Sequence, residues 1–179
     1  MPVLYASAES RLAWLKIAHT TGLGRRAVRL VPVDAAGRPD AARMRELHDA
    51  DIAAGRLPFL LVGTAGTTGG GTVDPLPRPA DLAAGRSLHF HVDAAWASAV
   101  ALSDRLRPLL AGVERADRGT VDPHKWLSAP MGAGAAAPDS LQLLAEGPPF
   151  TGQPTALRVP HTTGIPQVSR DVSPHDTTL

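Results

Sequence analysis

The chain's 179 residues suffice to bury one sizeable core, as one domain or part of one. They are 44% hydrophobic but only 4% aromatic, so Ala, Leu and Val must fill the interior, and 18 basic against 17 acidic residues leave a formal charge of +1. Balanced charge without a same-sign block argues against nucleic-acid and anionic-membrane partners, and the lack of cysteine excludes disulfides, thiol catalysis and thiolate metal sites.

Apolar periodicity predicts alternating strands and helices. Val3–Ala6 reads as a short strand. Ser7 or Ser10 can cap the next segment, where Leu12, Trp14, Leu15, Ile17 and Ala18 predict a half-buried helix stopped at Gly22 and Gly24. Ala27–Val33 reads as a strand and Asp34–Gly37 as a turn. Asp40 is placed to cap a helix running to about Ala54, with Met44, Leu47 and Ile52 as its apolar face. Pro58–Thr64 is a continuous apolar run, as expected for a strand covered on both faces. A helix should follow, although Pro77, Pro79 and Gly85 weaken it. Leu88–Val92 is the next strand, Leu102–Gly112 a predicted helix, and residues 119–121 and 132–137 two further strands. The alternation predicts an α/β fold with a mostly parallel sheet, whose sites collect at the carboxyl ends of strands. From Gly147 onward, Pro- and Thr-rich sequence without apolar period predicts a poorly ordered tail. No stretch is long and apolar enough to span a bilayer and no secretory signal is evident, so a cytoplasmic protein is expected.

Two short motifs carry the chemistry: His-Val-Asp-Ala-Ala-Trp (91–96) and Asp-Pro-His-Lys-Trp (122–126). Asp93 and Lys125 each fall at or just beyond the end of a predicted strand, where they could meet over one ligand. Pyridoxal phosphate (PLP) needs such a pair, a lysine for its aldehyde and a carboxylate for its ring nitrogen. Apolar and aromatic residues flank Lys125 in sequence, and enclosure by them would disfavour its charged form. Ala94 and Ala95 are small enough to let a flat ring lie close. The loop 64–75, Thr-Ala-Gly-Thr-Thr-Gly-Gly-Gly-Thr-Val-Asp-Pro, matches neither common phosphate-binding glycine pattern but offers the hydroxyls of Thr67 and Thr68. The seven histidines show no metal-ligand spacing, and no serine-hydrolase elbow is present.

Five blocks in order resemble the PLP-dependent group II amino-acid decarboxylases, the family of the aromatic-L-amino-acid, histidine and glutamate enzymes. They are Leu12-Ala-Trp-Leu-Lys-Ile-Ala-His, residues 51–59, Thr64-Ala-Gly-Thr-Thr through Asp74-Pro-Leu, the Asp93 motif, and Gly112 through the Lys125 motif. The resemblance covers about residues 3–137. It implies the aspartate-aminotransferase-like large domain, PLP as cofactor, a small-molecule amino-acid substrate, and a homodimer for the full-length family. It further implies Lys125 as the Schiff-base lysine, Asp93 as partner of the ring nitrogen, and Ala95 packed on the ring. Thr68 would lie beside the cofactor, and His124 near its phosphate. The implied reaction is loss of the α-carboxylate as carbon dioxide, leaving an amine.

Departures from the family pattern accompany the match. Arg11 aligns with a ring-stacking histidine, and a guanidinium cannot exchange protons at neutral pH. Asp122 stands where some members carry asparagine, and its carboxylate needs a partner. The family's upstream phosphate-binding turn, mobile loop and small domain have no counterpart in the sequence. Residues 1–140 are therefore expected to form a partial PLP-binding large domain and 141–179 the tail. Two alternatives stand beside decarboxylation: a non-catalytic cofactor-binding or interaction fragment, and a cysteine-desulfurase or aminotransferase relative.

Overall fold

The computed structural model describes residues 1–131 and 135–136, without the side chains of Arg11, Ala135 and Ala136. The predicted tail and most of the predicted strand at 132–137 lie outside the described residues. Six strands, β1 (Pro2–Ser7), β2 (Val28–Val31), β3 (Leu57–Thr64), β4 (His89–Asp93), β5 (Arg118–Val121) and β6 (Ala135–Ala136), form one sheet in the order β2-β1-β3-β4-β5-β6. β1 to β5 run parallel, and β6 is antiparallel to β5. Four α-helices accompany them: α1 (Arg11–Thr20), α2 (Ala41–Ala53), α3 (Pro77–Arg86) and the single turn α4 (Pro123–Trp126).

Period-2 alternation in β1 sends its side chains into two cores. Val3 and Tyr5 join Leu61, Met44, Leu76 and Phe90, whereas Leu4 and Ala6 join Trp14, Ala18, Val28 and Val62. α2 and α3 thus cover one face and α1 the other, which is why β1 and the second half of β3 are buried on both faces. Leu4 and Leu61 are almost fully buried, and each such side chain stabilises the fold by about 1.5–3 kcal/mol.

Asp40 caps α2 as expected, its carboxylate accepting from the amides of Ala42 (2.8 Å) and Arg43 (3.4 Å). α3 forms because Pro77 and Pro79 fall in its first turn, where a missing N–H costs no intrahelical bond. The predicted helix at 102–112 is instead a series of 3₁₀ turns at Ala97–Leu102, Arg107–Leu110 and Val113–Arg115. Pro108 inside it has no amide to donate and disfavours helical geometry at Arg107. Two apolar faces also differ from expectation. Leu12, Ile17 and Ile52 are exposed, whereas Trp14 and Ala18 bury α1, and Met44, His48 and Asp51 bury α2. Neither Ser7 nor Ser10 caps α1: the Ser10 hydroxyl donates to the Ser7 carbonyl (3.0 Å).

The chain order reverses at β1, whose neighbours β2 and β3 follow it on opposite sides. This makes the carboxyl ends of β1 and β3 a topological switch point, the place where open α/β sheets bind ligands. Among the described residues no helix is long and apolar enough to cross a membrane.

Candidate active site

Asp93 is the last residue of β4, paired in register with Thr64 of β3 on one side and Thr120 of β5 on the other. It is half-buried, and its Oδ1 accepts a hydrogen bond from the Ala95 amide at 3.2 Å. That turn bond is the ordinary role of an aspartate after a strand. The second carboxylate oxygen has no hydrogen bond among the described residues, so it can receive another donor. Ala95 is half-buried immediately beyond it.

Lys125 lies in α4, which follows directly on β5. Among the described residues the enclosure expected around it does not form: its side chain is 37% exposed, and its Nζ lies 3.0 Å from Asp122 Oδ2. Asp122 thereby acquires the partner that its carboxylate requires, with His124 Nε2 at 3.9 Å from the same oxygen. The amine is held by a neighbouring charge rather than by an apolar pocket.

What joins the two motifs is a contact between their tryptophans. The rings of Trp96 and Trp126 pack edge to face, with centroids 4.9 Å apart and planes at 80°. The glycine-rich loop reaches the same ring. A Cβ at Gly66, where φ is +94°, would stand 2.7 Å from Trp96, and one at Gly71 would stand 3.6 Å from it. Three sequence blocks therefore converge on Trp96. In the sequence Trp96 is only the last residue of the Asp93 motif. The recurrence of tryptophan in both motifs was the available signal.

The loop itself is a closed structure. Ala65 and Val73 form an antiparallel bridge, and the amides of Gly66 and Thr67 both donate to the Thr72 carbonyl at 3.0 and 2.9 Å. Of the two threonines offered by the sequence, Thr67 is buried and its hydroxyl accepts from the Thr72 amide (3.1 Å). Thr68 is exposed. The loop thus consumes Thr67 for its own shape and leaves Thr68 at the surface.

Asp74 closes the loop and is 2% exposed. Its Oδ2 accepts from the Thr64 amide at 2.8 Å, and its own amide donates to the Thr64 carbonyl at 2.9 Å. Burial, only partly opposed by the Thr64 hydrogen bond, pushes its carboxyl up to about 7. Asp74 Oδ1 and Thr64 Oγ1 are buried without a partner among the described residues. His91 shares a face of β4 with Asp93. It meets Trp14 edge-on at 5.5 Å and lies 3.1 Å from the Thr120 hydroxyl. Burial depresses its pKa, against the pull of the Asp93 carboxylate, so the imidazole is held neutral.

An open, mostly parallel α/β sheet with its motifs at neighbouring strand ends fits an aspartate-aminotransferase-like large domain. The sequence profile of the pyridoxal-dependent decarboxylase conserved domain matches residues 1–144. Cysteine sulfinic acid decarboxylase of Mus musculus is 43% identical over 129 residues, covering 70% of this chain and 26% of the relative. Aspartate 1-decarboxylase of Aliivibrio fischeri is 39% identical over 132 residues, covering 73% and 24%. Among solved structures, mouse CSAD superposes with a TM-score of 0.74 at 37% identity, covering 82% of this chain and 32% of that one. Oryza sativa TDC with PLP gives 0.72 at 32% identity, covering 80% and 30%. The chain belongs to the pyridoxal-dependent decarboxylase family. It spans about a quarter of the length of the curated relatives that it matches.

Proposed function

We propose that the chain supplies the cofactor-carrying part of a PLP-dependent amino-acid decarboxylase, a carboxy-lyase converting an amino acid to an amine and carbon dioxide. The observation that carries this reading is the convergence of the Asp93 and Lys125 motifs through the Trp96–Trp126 contact, on neighbouring strand ends. The residues fit the cofactor. An exposed amine suits an aldehyde, and a carboxylate with one uncommitted oxygen suits a protonated ring nitrogen. When bound, PLP supplies an electron sink for the charge left at the substrate's α-carbon.

Lys125 would hold the cofactor's aldehyde carbon, which requires its Nζ to leave Asp122. Asp93 would keep a proton on the ring nitrogen, with the Ala95 amide fixing the carboxylate's orientation. Ala95 would offer only a methyl group to the ring, Thr68 an exposed hydroxyl, and His124 a donor to the phosphate. Asp122 keeps the free amine at the mouth of the site before loading. The amino-acid substrates in the relatives' names differ (cysteine sulfinic acid, aspartate, tryptophan) and belong to those proteins. For this chain the proposal stops at an amino acid. A homodimer is proposed with it, the second copy covering the exposed Trp126, Leu127 and Met131 beside the site.

A second reading is a cofactor-binding chain without turnover. The Lys125–Asp122 ion pair and the arginine at position 11 favour it. Titration with PLP tests both readings. The first step expects an absorption band at the edge of the visible that Lys125→Ala abolishes, and its absence overturns cofactor loading. Amine and carbon dioxide released from a panel of amino acids would then establish turnover, and a loaded but silent protein would establish the second reading.

A further inference from the structure

The register of the sheet leaves a gap at the switch point. β1 pairs with β3 only as far as Tyr5↔Leu61, whereas β3 continues to Thr64. On its other side, the end of β3 stays in the sheet through Thr64↔Asp93 and the bond from the Ala65 amide to the Asp93 carbonyl (2.8 Å). The backbone amide and carbonyl of Thr64 are therefore not met by β1. Asp74 meets both, one with its side chain at 2.8 Å and the other with its amide at 2.9 Å. A buried amide left unpaired costs more than an average hydrogen bond contributes, so this double contact decides where β3 ends.

Two further observations tie the same residue to the site. Asp74 closes the loop that presents Thr68 and abuts Trp96 through Gly66. Two residues on, Leu76 is fully buried and packs tightly over Gly63, where a Cβ would stand 2.8 Å from Leu76 Cδ2. The return limb of the loop is thus pinned at Leu76, and Asp74 is the polar latch joining that pinned limb to the strand beside Asp93.

The geometry points to Asp74 as a positioning residue of the cofactor site, one that acts on Asp93 and Thr68 through the end of β3 without touching the ligand. This rests on the PLP reading above, and its test keeps the two separable. Wild-type chain, Asp74→Asn and Asp74→Ala are compared by amide hydrogen exchange without cofactor, by PLP titration, and by thermal unfolding.

The alanine variant removes the acceptor for the Thr64 amide. Exchange at residues 64–72 should accelerate by about tenfold or more relative to β1 and β2, and PLP affinity should fall by about tenfold, the scale of one hydrogen bond. The asparagine variant keeps a carbonyl oxygen for that amide and should restore both. Asp74→Ser, whose shorter side chain withdraws from Thr64, replaces the alanine variant if the latter does not fold.

Exchange that rises evenly through the sheet, with PLP affinity unchanged or with asparagine no better than alanine, would show an ordinary core residue and overturn the inference. A wild-type chain lacking the Lys125-dependent band would instead sink the cofactor reading, and the functional half of this inference with it. The exchange arm would still decide whether Asp74 sets the end of β3.

Discussion

Asp74 carries a pH dependence whose sign follows from its burial. Its carboxyl is pushed from the ordinary 3.8 up to about 7 in the folded chain. Between those values the unfolded chain has released the proton that the folded chain retains. Stability therefore falls as pH rises from about 4 to about 7 and levels off above, by an amount on the order of 4 kcal/mol. Asparagine mimics the protonated acid, so Asp74→Asn should remove this slope; urea unfolding at pH 5 and pH 8 checks it, and an undiminished slope would refute the assignment. Residue identity alone did not reveal any of this. Asp74 stood in a quoted motif, yet its burial and its grip on Thr64 depend on a loop that turns back ten residues later. The pairing of Lys125 with Asp122 was easier to anticipate, since residues three apart share a face within one helical turn.

The glycine-rich loop and the helices invite substitutions whose effects differ in kind. Gly66 adopts φ +94°, and a Cβ there would stand 2.7 Å from the Trp96 ring. Gly66→Ala should cost about 1–3 kcal/mol of stability through strain and displace Trp96. Its signature is a lowered urea midpoint together with altered tryptophan emission. At α2, Asp40→Ala removes an acceptor shared by two amides and should cost about 1 kcal/mol, with no effect on PLP loading. Element type was readable wherever period and capping agreed, as in β1, β3, β4 and α2. It failed at 102–112, where an apolar period outweighed Pro108 in the prediction but not in the fold. The prolines of α3 had the opposite fate because their position within a helix, not their presence, decides their cost.

Across the whole molecule, one buried network joins elements distant in sequence. Asp51 of α2 is fully buried; it accepts from the Tyr5 hydroxyl of β1 at 3.0 Å and pairs with Arg29 of β2 at 2.9 Å and with Arg56. The two arginine side chains are only 28% and 34% exposed. Asp51→Ala would leave a buried phenol without its acceptor and two cations without their counter-charge. A loss of about 3 kcal/mol is expected, read as a lower denaturant midpoint at unchanged slope. The motif around Asp51 was matched to the family, but its apolar-face assignment placed Ile52 inside. Burying a carboxylate becomes favourable only once three partners from elsewhere in the chain converge on it.

By itself, the sequence determined the α/β alternation, the order of the strands along the chain, and the residue types able to carry PLP chemistry. Those features are local, written in period, capping and the few side chains that can serve an aldehyde and a pyridine nitrogen. The tertiary structure alone decided that Trp96 joins the two motifs and that Thr67 is spent on the loop while Thr68 stays open. It alone showed that Asp74 latches the end of β3. Each of these depends on strand register or on how the loop after β3 closes on itself. Contacts of that kind form between residues whose spacing in sequence carries no trace of their meeting.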